Sequence, residues 1–215
     1  MPGSPALTHD LIRLREPIRL TADEPVPSWV EPVLKRTPWV VVRRGHIRDR
    51  MTPVGVRGLT RSQRFAAFVE FAETVERLSP EDLTTSRCVI ERNPKGRAPA
   101  LAALTRVAPI LACRGCRWGP GGSVGFEIAT AATTARLSSD LDLILRQDRR
   151  LEPSDAIALL DALAEAAAPV RIDVMLETPC GGVALADLAA APRHVLVRTP
   201  DGARLSADPW MEGVS

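Results

Sequence analysis

Tyrosine is absent from this chain of 215 residues, and aromatic side chains together make up only 4% of it. Flat surfaces on which bases stack are therefore scarce, and no zinc-finger spacing or RNP-like run appears, which disfavours a nucleic-acid-binding protein. Long hydrophobic runs are missing too. No stretch of about 18 residues is both apolar and uncharged, which excludes a membrane-spanning helix. The opening Met1-Pro2-Gly3-Ser4-Pro5 has no basic patch leading into an apolar segment, so no secretory signal is expected and the chain is assigned to the cytoplasm. Cysteine is sparse, at Cys88, Cys113, Cys116 and Cys180, and four such residues without an export signal make no disulfide framework. Cys113-Arg114-Gly115-Cys116 is a lone CxxC. Zinc would need two more ligands at suitable spacing, so ordinary reduced thiols are the reading adopted. His46 and His194 have no evident sequence partners and are read as structural or surface residues.

Lysine is nearly missing as well, with two residues, Lys35 and Lys95, against 26 arginines. The net charge of +2 hides an uneven distribution: Arg43, Arg44, Arg48, Arg50, Arg57, Arg61 and Arg64 lie in one stretch whose only acid is Asp49. The rest of the chain is net acidic. Clustered guanidinium groups bind phosphate or carboxylate through paired hydrogen bonds, so the stretch suits an anionic partner as well as a solvated surface. Hydrophobic residues at 45% and charged residues at 25% are ordinary for a globular protein. A chain of this length buries on the order of 70% of its unfolded surface.

Seven prolines among the first 38 residues make that part irregular, with short elements only. Trp39 to Arg43 and Pro53 to Gly58 read as strands. A helix is expected from Thr60, with Gln63 completing a capping box, Phe65, Phe68, Val69, Ala72 and Val75 at helical spacing, and Ser79-Pro80 closing it. The polar stretch from Thr84 to Pro99 reads as a linker and sets a boundary that divides the chain into 1–92 and 93–215. Beyond it a helix starts at Pro99, with Pro109 expected to kink or end it early. Trp118 to Ser123 reads as a glycine-rich turn before a short helix from about Val124. Strands follow at 140–146, 170–177 and 194–199, with helices at 153–167 and 185–191 between them. The fold class is α+β, a mixed sheet flanked by helices after a smaller amino-terminal α/β part.

Two features of the second half carry chemistry. Gly121-Gly122-Ser123-Val124-Gly125 is a small-residue turn before a helix, where backbone N–H groups can approach phosphate oxygens with no Cβ in the way. It is neither a P-loop nor a dinucleotide fingerprint. Ser139-Asp140-Leu141-Asp142-Leu143 puts Asp140 and Asp142 on one face of a strand, where paired carboxylates repel unless a cation such as Mg²⁺ lies between them. Asp173 is a single acid within an apolar strand, costly unless paired or metal-bound. If its strand lies beside that of Asp140, three carboxylates converge below a phosphate cradle, the arrangement two-metal phosphoryl or nucleotidyl transfer requires.

Gly122-Ser123, Asp140-Leu141-Asp142 and Ile172-Asp173-Val174 resemble the DNA polymerase β-like nucleotidyltransferase superfamily. The longer run Trp118 to Thr130, with Ser139-Asp140-Leu141-Asp142-Leu143, more closely resembles the malonate decarboxylase holo-acyl-carrier-protein synthase family, also called phosphoribosyl-dephospho-CoA transferases. His9-Asp10-Leu11, Pro38 to Arg44, Pro53 to Gly58, Arg61 to Arg64, Thr178 to Leu185 and Asp208-Pro209-Trp210 extend the likeness to nearly the whole chain. Ala131-Ala132 stands where that pattern has a glycine, and the spacing from Ser123 to Asp140 is longer than in the wider superfamily.

The resemblance implies transfer of phosphoribosyl-dephospho-CoA from 2′-(5″-triphosphoribosyl)-3′-dephospho-CoA to a serine of the acyl-carrier subunit of malonate decarboxylase, with release of pyrophosphate. In that scheme Asp140, Asp142 and Asp173 are the catalytic metal ligands, with Mg²⁺ as the cofactor. Gly122 and Ser123 hold the triphosphate, and residues 93–215 form the catalytic domain. Residues 1–92 recognise donor or carrier, through Arg57, Arg61 and Arg64. The nearest alternative is another member of the superfamily that puts a nucleotide on a protein or small molecule. A non-catalytic nucleic-acid binder using the basic stretch is the more distant one. Neither nucleic acid nor membrane is expected as a partner.

Overall fold

Residues 6–16, 18–60, 62–84, 98–191 and 193–211 are described by the computed structural model. They divide into two units, Met1–Ser79 and Pro80–Ser215. The expected boundary at 92/93 lies outside the described residues. The division falls earlier because Glu81–Thr84, a 3-10 turn, packs on the second unit's first strand. There Glu81 accepts a hydrogen bond from Arg146 Nε at 2.8 Å.

Apolar residues at two-residue spacing build the first unit. Its elements are β1 (Leu11–Leu14), α1 (Val30–Arg36), β2 (Trp39–Val42), β3 (Met51–Arg57), β4 (Arg64–Glu70) and β5 (Thr74–Leu78). The strands form one sheet in the order β4-β3-β2-β1-β5, with every pairing antiparallel. Ile12 and Leu14, Val40 and Val42, Val54 and Val56, and Phe65, Ala67 and Val69 alternate along their strands into one core cluster. Val30 and Leu34, one turn apart on α1, complete it. Among the described residues, the smaller unit is thus an antiparallel sheet with one α-helix, not alternating strands and helices.

The helix expected from Thr60 is not formed. Phe65, Phe68, Val69 and Ala72 fit the helical period, but Phe65, Ala67 and Val69 also fit the period of a strand. Pairing decides between them, because β4 zips along β3 from Met51 opposite Glu70 to Arg57 opposite Arg64. The capping-box contact does form, Thr60 N–H donating to Gln63 Oε1 at 3.1 Å, but it closes the hairpin loop between these strands.

The second unit contains α2 (Pro99–Cys113), β6 (Arg117–Pro120), α3 (Gly122–Thr130), β7 (Leu141–Arg146), α4 (Pro153–Ala167), β8 (Ile172–Thr178), β9 (Gly181–Ala184), α5 (Leu185–Ala189), β10 (Val195–Thr199) and β11 (Gly202–Ser206). One six-stranded sheet runs β11-β10-β9-β8-β7-β6. Only β7 and β8 pair in parallel, as the α4 crossover between them requires. Leu141, Leu143 and Leu145 are buried along β7, and Leu101, Leu104, Val107 and Leu111 form the buried stripe of α2. Leu159 and Leu163 do the same on α4, which packs on both α2 and β8. The α+β expectation is met.

Two local features depart from the simplest sequence reading. Of the two effects expected at Pro109, an early end does not occur, since the residue sits inside α2. Proline in a helix interior costs about 3 kcal/mol, but the buried stripe continues past it to Leu111. Trp118-Gly119-Pro120, read as a turn, is strand β6 on the sheet edge, where proline is tolerated. A Cβ on Gly119 would overlap the Pro80 carbonyl, so the close approach requires glycine. Among the described residues, no helix is long and apolar enough to cross a membrane.

Candidate active site

The parallel pairing of β7 with β8 puts Asp142 directly opposite Asp173. Asp140 lies two residues before Asp142, just ahead of the strand, and the N–H of Leu141 between them donates to Arg171 O at 2.9 Å. The strand adjacency on which the convergence of the three carboxylates depends is therefore present. Gly122, the first residue of α3, sits against the same carboxylate. Its φ is +55°, and a Cβ there would overlap Asp142 Oδ2. Gly121 N–H donates to Asp142 O at 2.9 Å, which fixes the start of α3 to β7.

The first N–H groups of a helix have no intrahelical acceptor and carry the positive end of its dipole. The N-cap of α3, Gly121, has no side chain to cap them, and Gly122 at the start of the helix lies against Asp142. Ser123 is buried, and its carbonyl accepts a hydrogen bond from Thr134 Oγ1 at 2.8 Å. Glu127, one turn further on and also buried, accepts the N–H groups of Thr134 and Ala135 at 2.9 and 2.8 Å. These bonds hold the extra length between Ser123 and Asp140 as an ordered loop. Glu127 escaped the sequence reading, because an acid in a short apolar helix does not announce its distant backbone partners. Ala131, where the family pattern has glycine, adopts φ +63°, the left-handed conformation glycine favours.

Arg171 was also missed. Its Nη2 donates to Asp173 Oδ2 at 3.0 Å, and its Nε lies 3.9 Å from Asp140 Oδ2. The guanidinium holds its proton more firmly than usual, first through the hydrogen bond and charge of Asp173, then through the charges of Asp140 and Asp142. All three carboxylates thus act on one cation. The available signal was Arg171-Ile172-Asp173, since residues two apart at a strand start share a face.

The basic stretch belongs to the other unit. Arg57 and Arg64 face each other across the β3–β4 hairpin, and Arg61 lies outside the described residues. Arg43 and Arg48 lie over the Phe68 ring at 5.6 and 4.9 Å, and Arg48 also pairs with Asp23 at 3.2 Å. Part of the cluster is therefore committed to the protein itself. Burial raises the Cys116 thiol above its ordinary value, the arginine beside it opposing the shift.

The oxygen-only donor set of Asp140, Asp142 and Asp173 suits a hard divalent cation in its chemistry, and the strand register sets Asp142 opposite Asp173. As the side chains stand, Arg171 draws on them, and among the described residues no three acidic, histidine or cysteine side chains are grouped closely enough to enclose an ion.

Comparison with known sequences decides the family. The pattern described as the phosphoribosyl-dephospho-CoA transferase MdcG C-terminal domain matches residues 89–209, and that of the corresponding N-terminal domain matches residues 7–80. The chain belongs to the phosphoribosyl-dephospho-CoA transferase family. The phosphoribosyl-dephospho-CoA transferase of Azotobacter vinelandii is 42% identical over 208 residues, 95% of this chain and 94% of its own length. That of Pseudomonas putida (strain W619) is 40% identical over 204 residues, 94% of each chain. The Pseudomonas aeruginosa protein is 38% identical over 202 residues, 94% of this chain and 92% of its own. No solved structure matches. The two matched transferase patterns fall one on each unit of the fold, so the family likeness seen in the sequence extends over both.

Proposed function

We propose that this chain transfers phosphoribosyl-dephospho-CoA from 2′-(5″-triphosphoribosyl)-3′-dephospho-CoA to a serine hydroxyl on the acyl-carrier subunit of malonate decarboxylase, in the cytoplasm. The reading is supported by membership of the transferase family and by one structural observation: Asp142 stands opposite Asp173 and against the first residue of α3. An anionic triphosphate and a set of acids need complementary partners in the same place. The N-terminal turn of α3 supplies N–H donors for phosphate oxygens at Gly122 and Ser123. Beside it, Asp140, Asp142 and Asp173 would hold Mg²⁺, which when bound neutralises charge on the phosphoryl and pyrophosphate oxygens.

The serine oxygen attacks the α-phosphorus in line. A bond from serine oxygen to phosphorus forms, the bond from phosphorus to the bridging oxygen breaks, and pyrophosphate departs. Asp173, with 53% of its side chain exposed, is open to an incoming protein acceptor and is assigned to receive the hydroxyl proton. Arg57, Arg61 and Arg64 are assigned to the anionic donor or to an acidic carrier surface.

Intact-mass spectrometry of the apo carrier, incubated with this protein, the donor and Mg²⁺, tests the assignment. A mass gain equal to phosphoribosyl-dephospho-CoA is expected, and it should disappear with Asp142→Ala or without metal. A nucleotide-sized gain when ATP replaces the donor, with none from the donor itself, would instead make this a general nucleotidyltransferase.

A further inference from the structure

We propose that Arg171 is a built-in counter-ion of the carboxylate site, a positioning residue that holds Asp173 and Asp140 while no metal is bound and yields them when a divalent cation enters. This rests on the metal-site reading of the same aspartates made above.

The geometry is specific. Nη2 stands 3.0 Å from Asp173 Oδ2 and 3.4 Å from Oδ1, while Nε faces Asp140 Oδ2 at 3.9 Å. The backbone hydrogen bond from Leu141 to Arg171 anchors the arginine beside the residue that separates Asp140 from Asp142. The base of the side chain cannot drift from the carboxylates, but its head can. With 71% of the side chain exposed, the guanidinium can turn into water without opening a cavity or burying an unpaired donor.

Charge explains why such a residue belongs there. Three neighbouring carboxylates repel one another, and one fixed positive charge relieves that repulsion without filling the site. Arginine does not lose its proton, so it cannot be neutralised when a divalent cation approaches. It has to move aside. While it stays, it and the incoming ion compete for Asp173 and Asp140, and the two cations repel each other at short range. Metal affinity is therefore held below what three aspartates alone would give, and the empty site stays folded without metal. An uncharged residue at 171 reverses both effects.

The test is Mn²⁺ titration of the full chain, followed by electron paramagnetic resonance of the free ion at low salt, together with thermal melts in a chelator. Wild type, Arg171→Met, Arg171→Gln and Asp142→Ala are compared. Both neutral variants at 171 should bind Mn²⁺ about fivefold more tightly than wild type after ionic screening. Both should also melt at a lower temperature in chelator, with the gap closing on Mn²⁺ saturation. A merely structural arginine would lower the melting temperature and leave Mn²⁺ affinity unchanged. If wild type binds Mn²⁺ through Asp142 and neither neutral variant binds more tightly, the counter-ion role is overturned and the metal site stands. If Asp142→Ala binds as well as wild type, or none of the four proteins binds, the metal site itself fails and this inference fails with it.

Discussion

Gly122 occupies the most constrained position in the site. It must hold φ +55° and leave room for Asp142 Oδ2 where a Cβ would lie. Gly122→Ala therefore meets two separate penalties, a left-handed backbone costing on the order of 1–2 kcal/mol and a displaced carboxylate. Transfer activity should fall by about a hundredfold, as expected when a reacting group moves by roughly 1 Å, while the melting temperature drops only modestly. Retained activity in steady-state assays would show that Asp142 tolerates displacement. Ala131 is the opposite case, an L-residue at φ +63° ending the helix that carries Gly122 and Ser123. Ala131→Gly should stabilise the protein by about 0.5–1 kcal/mol, seen as a higher urea midpoint at constant slope. Both positions have a left-handed backbone angle, which composition and spacing do not reveal, although the family pattern marked residue 131 as unusual.

Among the elements, α4 sets the direction of β8, because the crossover it makes turns β8 parallel to β7 and brings Asp173 beside Asp142. Its carboxyl end is tied to α2 by Arg106, which donates to Ala166 O at 2.6 Å, Ala167 O at 2.9 Å and Ala168 O at 3.2 Å. These are the carbonyls a helix leaves without partners, at the negative end of its dipole. Arg106→Met keeps much of the aliphatic stem and removes all three bonds. A fall in melting temperature of about 2–4 °C is expected for a domain of this size, with the transfer reaction slowed only in proportion to unfolding. The tail is secured in a similar way. Trp210 Nε1 donates to Gln147 O at 2.8 Å, and Thr178 Oγ1 lies within hydrogen-bonding distance of Pro209 O at 2.7 Å. The Asp208-Pro209-Trp210 motif thus locks the sheet at the end of β7 away from its aspartates.

For the whole molecule, charge and chemistry fall into separate units: the arginine stretch in Met1–Ser79, the three aspartates in Pro80–Ser215. Arg57 and Arg64 stand opposite each other in the hairpin, which puts two guanidinium groups on neighbouring strands. The double reversal Arg57→Glu with Arg64→Glu should raise KM for donor or carrier about tenfold with kcat little changed, since it removes binding without touching the reacting groups. Unchanged kinetics would remove these residues from substrate recognition.

Local order was largely legible in the sequence. Residues 153–167 form the expected helix and Leu141–Arg146 the expected strand, because their apolar spacing fits only one period, and Trp39–Val42 the strand expected from its β-branched and aromatic composition. Gly122, Ser123, Asp140, Asp142 and Asp173 were singled out from the sequence as acids in strands and small residues before a helix, and the fold sets Asp142 opposite Asp173 and against Gly122. Tertiary structure decided what admitted two readings. Phe65 to Ala72 satisfies both periods, and only the partner strand β3 made it a strand. Pro109 could have ended α2, and only the buried stripe beyond it kept the helix whole. Glu127 gained its role from a loop seven residues on, and Arg171, whose neighbour Asp173 is local, gained Asp140 only once β8 lay beside β7. Spacing along a chain encodes which side of an element a residue occupies, but which element faces it depends on how the chain returns.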